Sequence, residues 1–318
     1  MKLDKAVEFL KNVDKDIVIF ANDDGDGVCS AALLLAYLRE RKIKPDLYFG
    51  GYDRKTLESF TRRKNKFVIF VDFAIDQYLE IIKAFKKSKV MVIDHHVITN
   101  NLNKIGVVHI NPRFEKPNAY ISASHITSDI CKKAGLKGCS WLGKLGDVCD
   151  RADKGNNLEN EAAFIISAIE AIDKNRFEEL AKTLSEIEGL EYFVYNPKYQ
   201  RLKERLSTEI RLQLESIEPM LSKDIIFFEI KSRLSISSIL SSMLLDKYPN
   251  KTFLIYKKTN DFYHISGRSK MINLVNAFKI ACKGVGRGGG HSVAAGAEVR
   301  DINIFMQRFL EYAENKNG

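Results

Sequence analysis

The sequence predicts an α/β protein with three parts: an N-terminal doubly wound, mostly parallel sheet, a helical connector, and a smaller C-terminal α/β domain. Three observations carry this. Between residues 16 and 110, short runs rich in β-branched and aromatic residues alternate with polar breaks and helical stretches. Those runs are apolar almost throughout, as in strands covered by helices on both faces, and do not alternate as in a sheet with one wet face. The strand pattern disappears from residue 119 to 216 and returns at 224.

In order, the first strands are DIVIFA (16–21), DLYFG (46–50), KFVIFVDF (66–73), KVMVID (89–94) and GVVHI (106–110), with helical segments between them. The basic RRKNK (62–66) reads as a solvated helix end. Residues 119–152 and 157–216 read as helices with Lys/Glu-rich faces, interrupted at Pro197 and Pro219. DIIFFEI (224–230), KTFLIYKK (251–258) and DFYHIS (261–266) are strands; a helical segment near 271–282, a Gly-rich loop and an amphipathic helix over 302–315 follow. Domain boundaries are expected at 1–155, 156–220 and 221–318.

Composition excludes several classes. With 45% hydrophobic and 29% charged residues, 6 Pro and 19 Gly, the chain is neither disordered nor collagenous. Its apolar runs fall far short of the ~20 residues that cross a bilayer, so no membrane association is expected, and MKLDKAVEFLKNVDKD does not read as a signal peptide. The five cysteines (Cys29, Cys131, Cys139, Cys149, Cys282) are scattered without CxxC spacing, which points away from disulfides and thiolate zinc and toward a reducing cytoplasm. A net charge of +9 favours polyanionic partners.

In open parallel sheets, ligands bind at the carboxyl ends of the strands. Three predicted strands end in acidic clusters: NDDGDG (Asn22 to Gly27), Asp72, and Asp94-His95-His96. Singly, an Asp at a strand-to-helix junction is a helix N-cap, and Gly25 and Gly27 only permit the turn. Two adjacent imidazoles after a buried strand have no obvious packing purpose. If the strands are neighbours, Asp24, Asp26, Asp72 and His95 form an oxygen-rich set with imidazole, suited to Mn²⁺ or Mg²⁺. A pair of such cations about 3.5–4 Å apart relieves the repulsion between the carboxylates and makes a hydrolytic centre for phosphoryl groups.

The combination of DGDG, VDF, DHH and a later GGGH, in that order over nearly the whole chain, resembles the DHH phosphoesterase superfamily. The resemblance is to its branch with a C-terminal DHHA1 domain, which includes RecJ-like nucleases and nanoRNases. It implies that Asp24, Asp26, Asp72 and His95 are metal ligands, that Asp94 orients an imidazole, and that His96 contacts the scissile phosphate or helps the leaving group. A further ligand comes from GKLGDVCDR (143–151), with Asp147 preferred over Asp150 three residues on. Asn22 stands where many relatives carry His or Asp, and as a neutral amide it is expected to weaken the first metal site.

The stretch from Phe262 to Ala297 has no Asp or Glu but contains Arg268, Lys270, Lys279, Lys283 and Arg287. Within it, GRGGGHSVAAG (286–296) lets backbone N–H groups approach an anion. The resemblance implies phosphate binding by Gly288, Gly289, Gly290 and His291, and by the strand end with Arg268 and Ser269. Arg268 can grip a phosphate bidentately.

The expected function is therefore Mn²⁺-dependent, two-ion hydrolysis of phosphodiesters: a RecJ-like single-strand exonuclease on DNA or RNA, releasing nucleoside monophosphates, its basic domain gripping the chain end across a cleft. Hydrolysis of nanoRNA, cyclic dinucleotides or 3′-phosphoadenosine 5′-phosphate is the alternative within the same chemistry. A catalytically dead replication scaffold is the reading from another class. The expected partners are single-stranded nucleic acid or a short oligonucleotide and, by the resemblance, a repair or replication protein such as a helicase.

Overall fold

The computed structural model describes residues 3–314. Its elements, in chain order, are α1 (Asp4–Asn12), β1 (Ile17–Asn22), α2 (Gly25–Glu40), β2 (Asp46–Gly50), α3 (Arg54–Phe60), β3 (Phe67–Val71), α4 (Leu79–Ala84), β4 (Lys89–Ile93), β5 (Val108–Ile110), α5 (Ala123–Ala134), α6 (Ser140–Cys149) and α7 (Asn157–Ile172). They continue with α8 (Phe177–Glu186), α9 (Leu190–Val194), α10 (Pro197–Ile217), β6 (Ile225–Glu229), α11 (Ser237–Lys247), β7 (Thr252–Thr259), β8 (Phe262–Ser269), α12 (Leu274–Ala281), β9 (Gly286–Gly290), β10 (Ala294–Val299) and α13 (Ile302–Glu314). The chain divides into two compact units, Met1–Lys203 and Glu204–Gly318.

The first unit is built on a five-stranded sheet of order β2-β1-β3-β4-β5, parallel throughout. Its central strands are apolar in nearly every position because both faces are covered. Ile17, Ile19 and Ala21 face a core shared with α1, α2, α5, α6, α7 and α8, while Val18 and Phe20 face a second core with α3 and α4. In the second core Phe20 stacks on Phe60 and Phe70 with centroids 4.3 and 5.0 Å apart. Burying one such ring contributes about 2–3 kcal/mol. Helix α2 is buried along most of its length and lies inside the first core.

The helical region read as a connector at 156–220 is divided by the structure. Ala162, Ile165, Ile169, Phe177, Leu184 and Phe193 belong to the first unit's core, and the boundary falls within α10, after Lys203. Hydropathy alone shows an amphipathic helix but not which core receives its apolar face. Pro197 opens α10 instead of interrupting a helix, as its missing N–H allows at the first helical position.

In the second unit the sheet order is β6-β7-β8-β10-β9, with β6 and β7 parallel and the other pairs antiparallel. Phe278, Phe305 and Phe309, from α12 and α13, pack against this sheet with Leu254, Ile265 and Val299. The segment read as a Gly-rich loop is here two strands: GRGGG is the edge strand β9, paired with β10. Glycine carries no strand signal, and backbone pairing supplies what side chains do not. Among the described residues no helix is long and apolar enough to cross a membrane.

Close packing at the start of α2 depends on Gly27, where a Cβ would overlap the main-chain carbonyl of Asn22. Gly27→Ala is expected to destabilise the protein by about 1–3 kcal/mol, the usual cost of overpacking. Urea denaturation followed by circular dichroism checks this.

Candidate functional site

Parallel register brings the three acidic clusters to one edge. Ala21 is paired with Val71, and Val71 with Ile93, so Asn22, Asp72 and Asp94 leave three neighbouring strands at the same level. Asp72 has a left-handed backbone, φ 58°, a conformation a short Asp side chain tolerates at a cost on the order of 1 kcal/mol. Its N–H donates to the Ile93 carbonyl at 2.9 Å. Asp24 caps α2, accepting the Gly27 N–H at 2.9 Å, so its capping role and its place in the cluster coexist. Asn22 donates its side-chain amide to Asp24 Oδ2 at 2.6 Å and to Asp72 Oδ2 at 3.4 Å. At this position the amide ties two carboxylates together.

His95 stands at the middle of the cluster. Its Nε2 is 3.3 Å from Asp72 Oδ1 and 3.9 Å from Asp26 Oδ2, and its Nδ1 is 3.7 Å from Asp150 Oδ2. Two overlapping groups have ligand atoms close enough for a cation: Asp72, His95 and His96, and Asp26, His95 and Asp150. Asp94 Oδ1 lies 2.7 Å from His96 Nδ1, so the imidazole it orients is that of His96. Asn111, at the end of β5, donates to the His96 carbonyl at 2.9 Å, and Arg113 Nε donates to that of His95 at 2.8 Å.

On sequence Asp147 is preferred over Asp150 as the further ligand, but the geometry places Asp150, and not Asp147, beside His95. Asp147 accepts from Ser122 Oγ and is paired with His125 Nδ1, both at 2.7 Å, and lies outside both ligand groups. Three residues apart on a helix do share a side, but the last turn of α6 turns only the later carboxylate toward His95. Asp150, Asn111, Arg113 and Tyr52, whose ring centroid is 6.3 Å from that of His96, carry no motif signal of their own beyond Asp150's place in GKLGDVCDR.

The electrostatics follow from burial. Desolvation raises Asp26 to about 7, with the Asp24 charge adding to it and hydrogen bonds from Ala123 and Ser124 opposing it. Desolvation, then Asp26 and Asp24, pushes Asp150 up to about 8. Asp72 is driven well above the carboxylate range by desolvation, then by the Asp24 and Asp26 charges. Burial lowers His95 to about 4, leaving a neutral imidazole with a free lone pair at neutral pH. Burial alone would depress His96 and raise Asp94, but their mutual hydrogen bond and charges outweigh it, so His96 is raised and Asp94 lowered.

A divalent cation fits this donor set. Asp72 Oδ1, His95 Nδ1 and Asp150 Oδ2 are buried polar atoms with no hydrogen-bond partner, which is costly unless something else satisfies them. Asp26, Asp72, His95, His96 and Asp150 carry the ligand atoms that could hold such ions, and Asp24 stands beside them, tied to Asp72 through the Asn22 amide. When bound, the ions supply Lewis acidity toward a phosphoryl oxygen and toward the attacking water.

In the second unit, register sets Arg268 opposite Ala294, and Ala295 opposite Gly290, so Arg268, Gly290 and His291 meet at one end of the sheet. Gly288, Gly289 and Gly290 are exposed on the edge strand, and Gly290 has φ 139°. His291 is exposed in the turn to β10, its N–H donating to the Ala294 carbonyl at 2.7 Å. The Arg268 guanidinium is held by Ser242 and Ser238 of α11 at 3.0 and 2.8 Å. Ser269 does not fit a ligand-contacting role. It is fully buried, its hydroxyl bonded to Thr252 and accepting the N–H groups of Met271 and Ile272, so it shapes the turn after β8.

The fold and the acidic centre define a metal-dependent phosphoesterase. Residues 16–164 match the family model of the DHH family, N-terminal domain, and residues 225–316 that of the DHHA1 domain. The two matches span most of the chain, which belongs to the DHH family with a C-terminal DHHA1 domain. No curated protein matches the chain. Among solved structures it is similar to RecJ of Thermus thermophilus in complex with Mn²⁺, at a TM-score of 0.75 and 17% identity over 98% of this chain and 55% of that one. This chain thus spans about half the length of that RecJ. An exonuclease RecJ bound to manganese is similar at a TM-score of 0.67 and 16% identity, covering 99% of this chain and 94% of that one. PggH of Vibrio cholerae, a pGpG-specific phosphodiesterase, follows at 0.58 and 15%, covering 95% and 99%. At these identities the likeness is one of fold.

Raised carboxyls keep their protons in the folded chain at pH values where the unfolded chain has lost them, so each of them lowers the stability of the metal-free protein as pH rises. The penalty from Asp150 is absent below about pH 4, the unfolded value, and complete above its folded value of about 8. In chelator, Asp150→Asn is therefore expected to melt several degrees above wild type at pH 8, with the gap closing toward pH 4. Thermal melts across that range check this.

Proposed function

We propose that the chain is a Mn²⁺-dependent, RecJ-like exonuclease that hydrolyses single-stranded DNA or RNA to nucleoside monophosphates, with Mg²⁺ as a second usable ion. The observation that carries this is the convergence of Asp26, Asp72, His95 and Asp150, next to Asp24, with the ligand atoms Asp72 Oδ1, His95 Nδ1 and Asp150 Oδ2 buried and unpartnered. Carboxylates buried in this way suit a pair of divalent ions, and two ions suit in-line displacement at phosphorus. His96, with Asp94 behind it, is the group that meets the scissile phosphate or the leaving oxygen. Asn22 adjusts the first metal site by holding Asp24 and Asp72. Arg268, Gly288, Gly289, Gly290 and His291 supply the phosphate grip; the guanidinium fork and the glycine N–H groups match phosphate oxygens. A helicase or another repair or replication protein is the partner class that goes with this activity.

A second reading, hydrolysis of dinucleotides, draws on the fold shared with the pGpG-specific PggH. Both readings need the same centre and differ in substrate length.

End-labelled single-stranded RNA and DNA, a dinucleotide and a circular single strand, each incubated with Mn²⁺, separate them. The exonuclease is expected to shorten a 20-mer progressively, about as fast as it cleaves a dinucleotide, and to leave the circle intact. Cleavage of the circle at the linear rate would refute it, and activity confined to the dinucleotide would establish the second reading. Asp72→Asn is expected to remove at least about 99% of the activity, and Asp94→Asn to lower it about 10–100-fold, the usual effect of losing a partner that orients an active-site imidazole. Persistence of hydrolysis in Asp72→Asn would reject the centre.

A further inference from the structure

We propose that Asp147 is a positioning residue for Asp26, acting through the first turn of α5, and that it does not bind the metal itself. The inference rests on reading Asp26, His95 and Asp150 as cation ligands. Both oxygens of Asp26 are held by main chain: the Ala123 N–H donates to Oδ2 at 2.7 Å and the Ser124 N–H to Oδ1 at 2.8 Å. These are the first residues of α5, whose N–H groups have no partner inside the helix. The aim of the Asp26 carboxylate therefore follows the aim of this turn.

Asp147 holds the turn at two points. The Ser122 hydroxyl, which caps α5 by accepting the His125 N–H at 3.1 Å, donates to Asp147 Oδ1 at 2.7 Å. His125 Nδ1 is 2.7 Å from the other oxygen, Oδ2. Ser122 and Ser124 are fully buried, and Asp147 is 7% exposed, so water does not substitute for the Ser122–Asp147 bond. Asp147 lies in the last turn of α6 and Asp150 caps its C-terminus, and Asp150 Oδ2 stands 3.7 Å from His95 Nδ1. The tie from Asp147 thus sets the spacing between the segment bearing Asp150 and the turn that aims Asp26. There is no slack in this contact: a Cβ on Gly146 would overlap the Ser124 hydroxyl and lie 3.0 Å from Asp26 Oδ1.

The test titrates the metal-free chain with Mn²⁺ alone, without substrate, by calorimetry and by the electron paramagnetic resonance of free Mn²⁺. Asp147→Asn and Ser122→Ala are each expected to weaken one binding event about 10–100-fold, as loss of an outer partner of a ligand does. The double variant is expected to be little weaker than Asp147→Asn, because both substitutions cut the same tie. His125→Ala, at a half-exposed position, is expected to act in the same direction with a smaller loss. It keeps the test decisive if an Asp147 variant fails to fold. Loss of binding in Asp147→Asn with none in Ser122→Ala or His125→Ala would make Asp147 a ligand and overturn the inference. A lowered melting temperature with unchanged Mn²⁺ affinity in all three would overturn it as well. In either of those outcomes the centre stands, whereas a wild-type chain that binds no Mn²⁺ rejects the centre and this inference together.

Discussion

The structure is organised around a repulsion it does not resolve with its own charges. Asp26, Asp72 and Asp150 are buried or nearly so beside Asp24, with only the neutral His95 between them. Backbone N–H groups satisfy Asp26, and an amide satisfies part of Asp24 and Asp72, but no Lys or Arg side chain is paired with Asp26, Asp72 or Asp150 among the ion pairs of the described residues. Such an arrangement is unfavourable for the bare protein and favourable for whatever divalent cation enters it. Stability given up at the strand ends is what a bound divalent cation would restore.

Much of the surrounding architecture keeps those carboxylates from relaxing away from one another. The parallel register holds three strand ends level, the left-handed backbone at Asp72 turns its side chain at the sheet edge, and Gly27 lets the start of α2 fold tightly against Asn22. Asn111 and Arg113 fix the carbonyls of His96 and His95, so the DHH triplet is held from its main chain as well as its side chains. In the second unit, glycines on an exposed edge strand and a serine-held guanidinium present donors with little side-chain bulk, opposite in charge to the acidic centre of the first.

The five parallel strands were legible because fully buried strands have a signature that hydropathy alone conveys, and the three acidic strand ends followed from them. The family resemblance added the metal and phosphate chemistry. What failed to read out had one cause each. Asp147 and Asp150 are equivalent by spacing, and only the way α6 ends distinguishes them. Ser269 adjoins Arg268 in a strand, where consecutive side chains point to opposite faces, so one is buried when the other is held at the surface. GRGGG lacks side chains to signal a strand. The helices at 157–194 are amphipathic, and which core accepts them is not written in their own residues.

Taken by itself, the amino-acid order determined the α/β class, the parallel sheet and the residues that carry acidic, imidazole and guanidinium chemistry, since these depend on local periodicity and residue type. Only the tertiary structure decided which carboxylate completes the cluster, which aspartate fastens α5, and where the first core ends. Those are questions of distance between segments remote in the chain, and they are answered by packing and register, which no local pattern encodes.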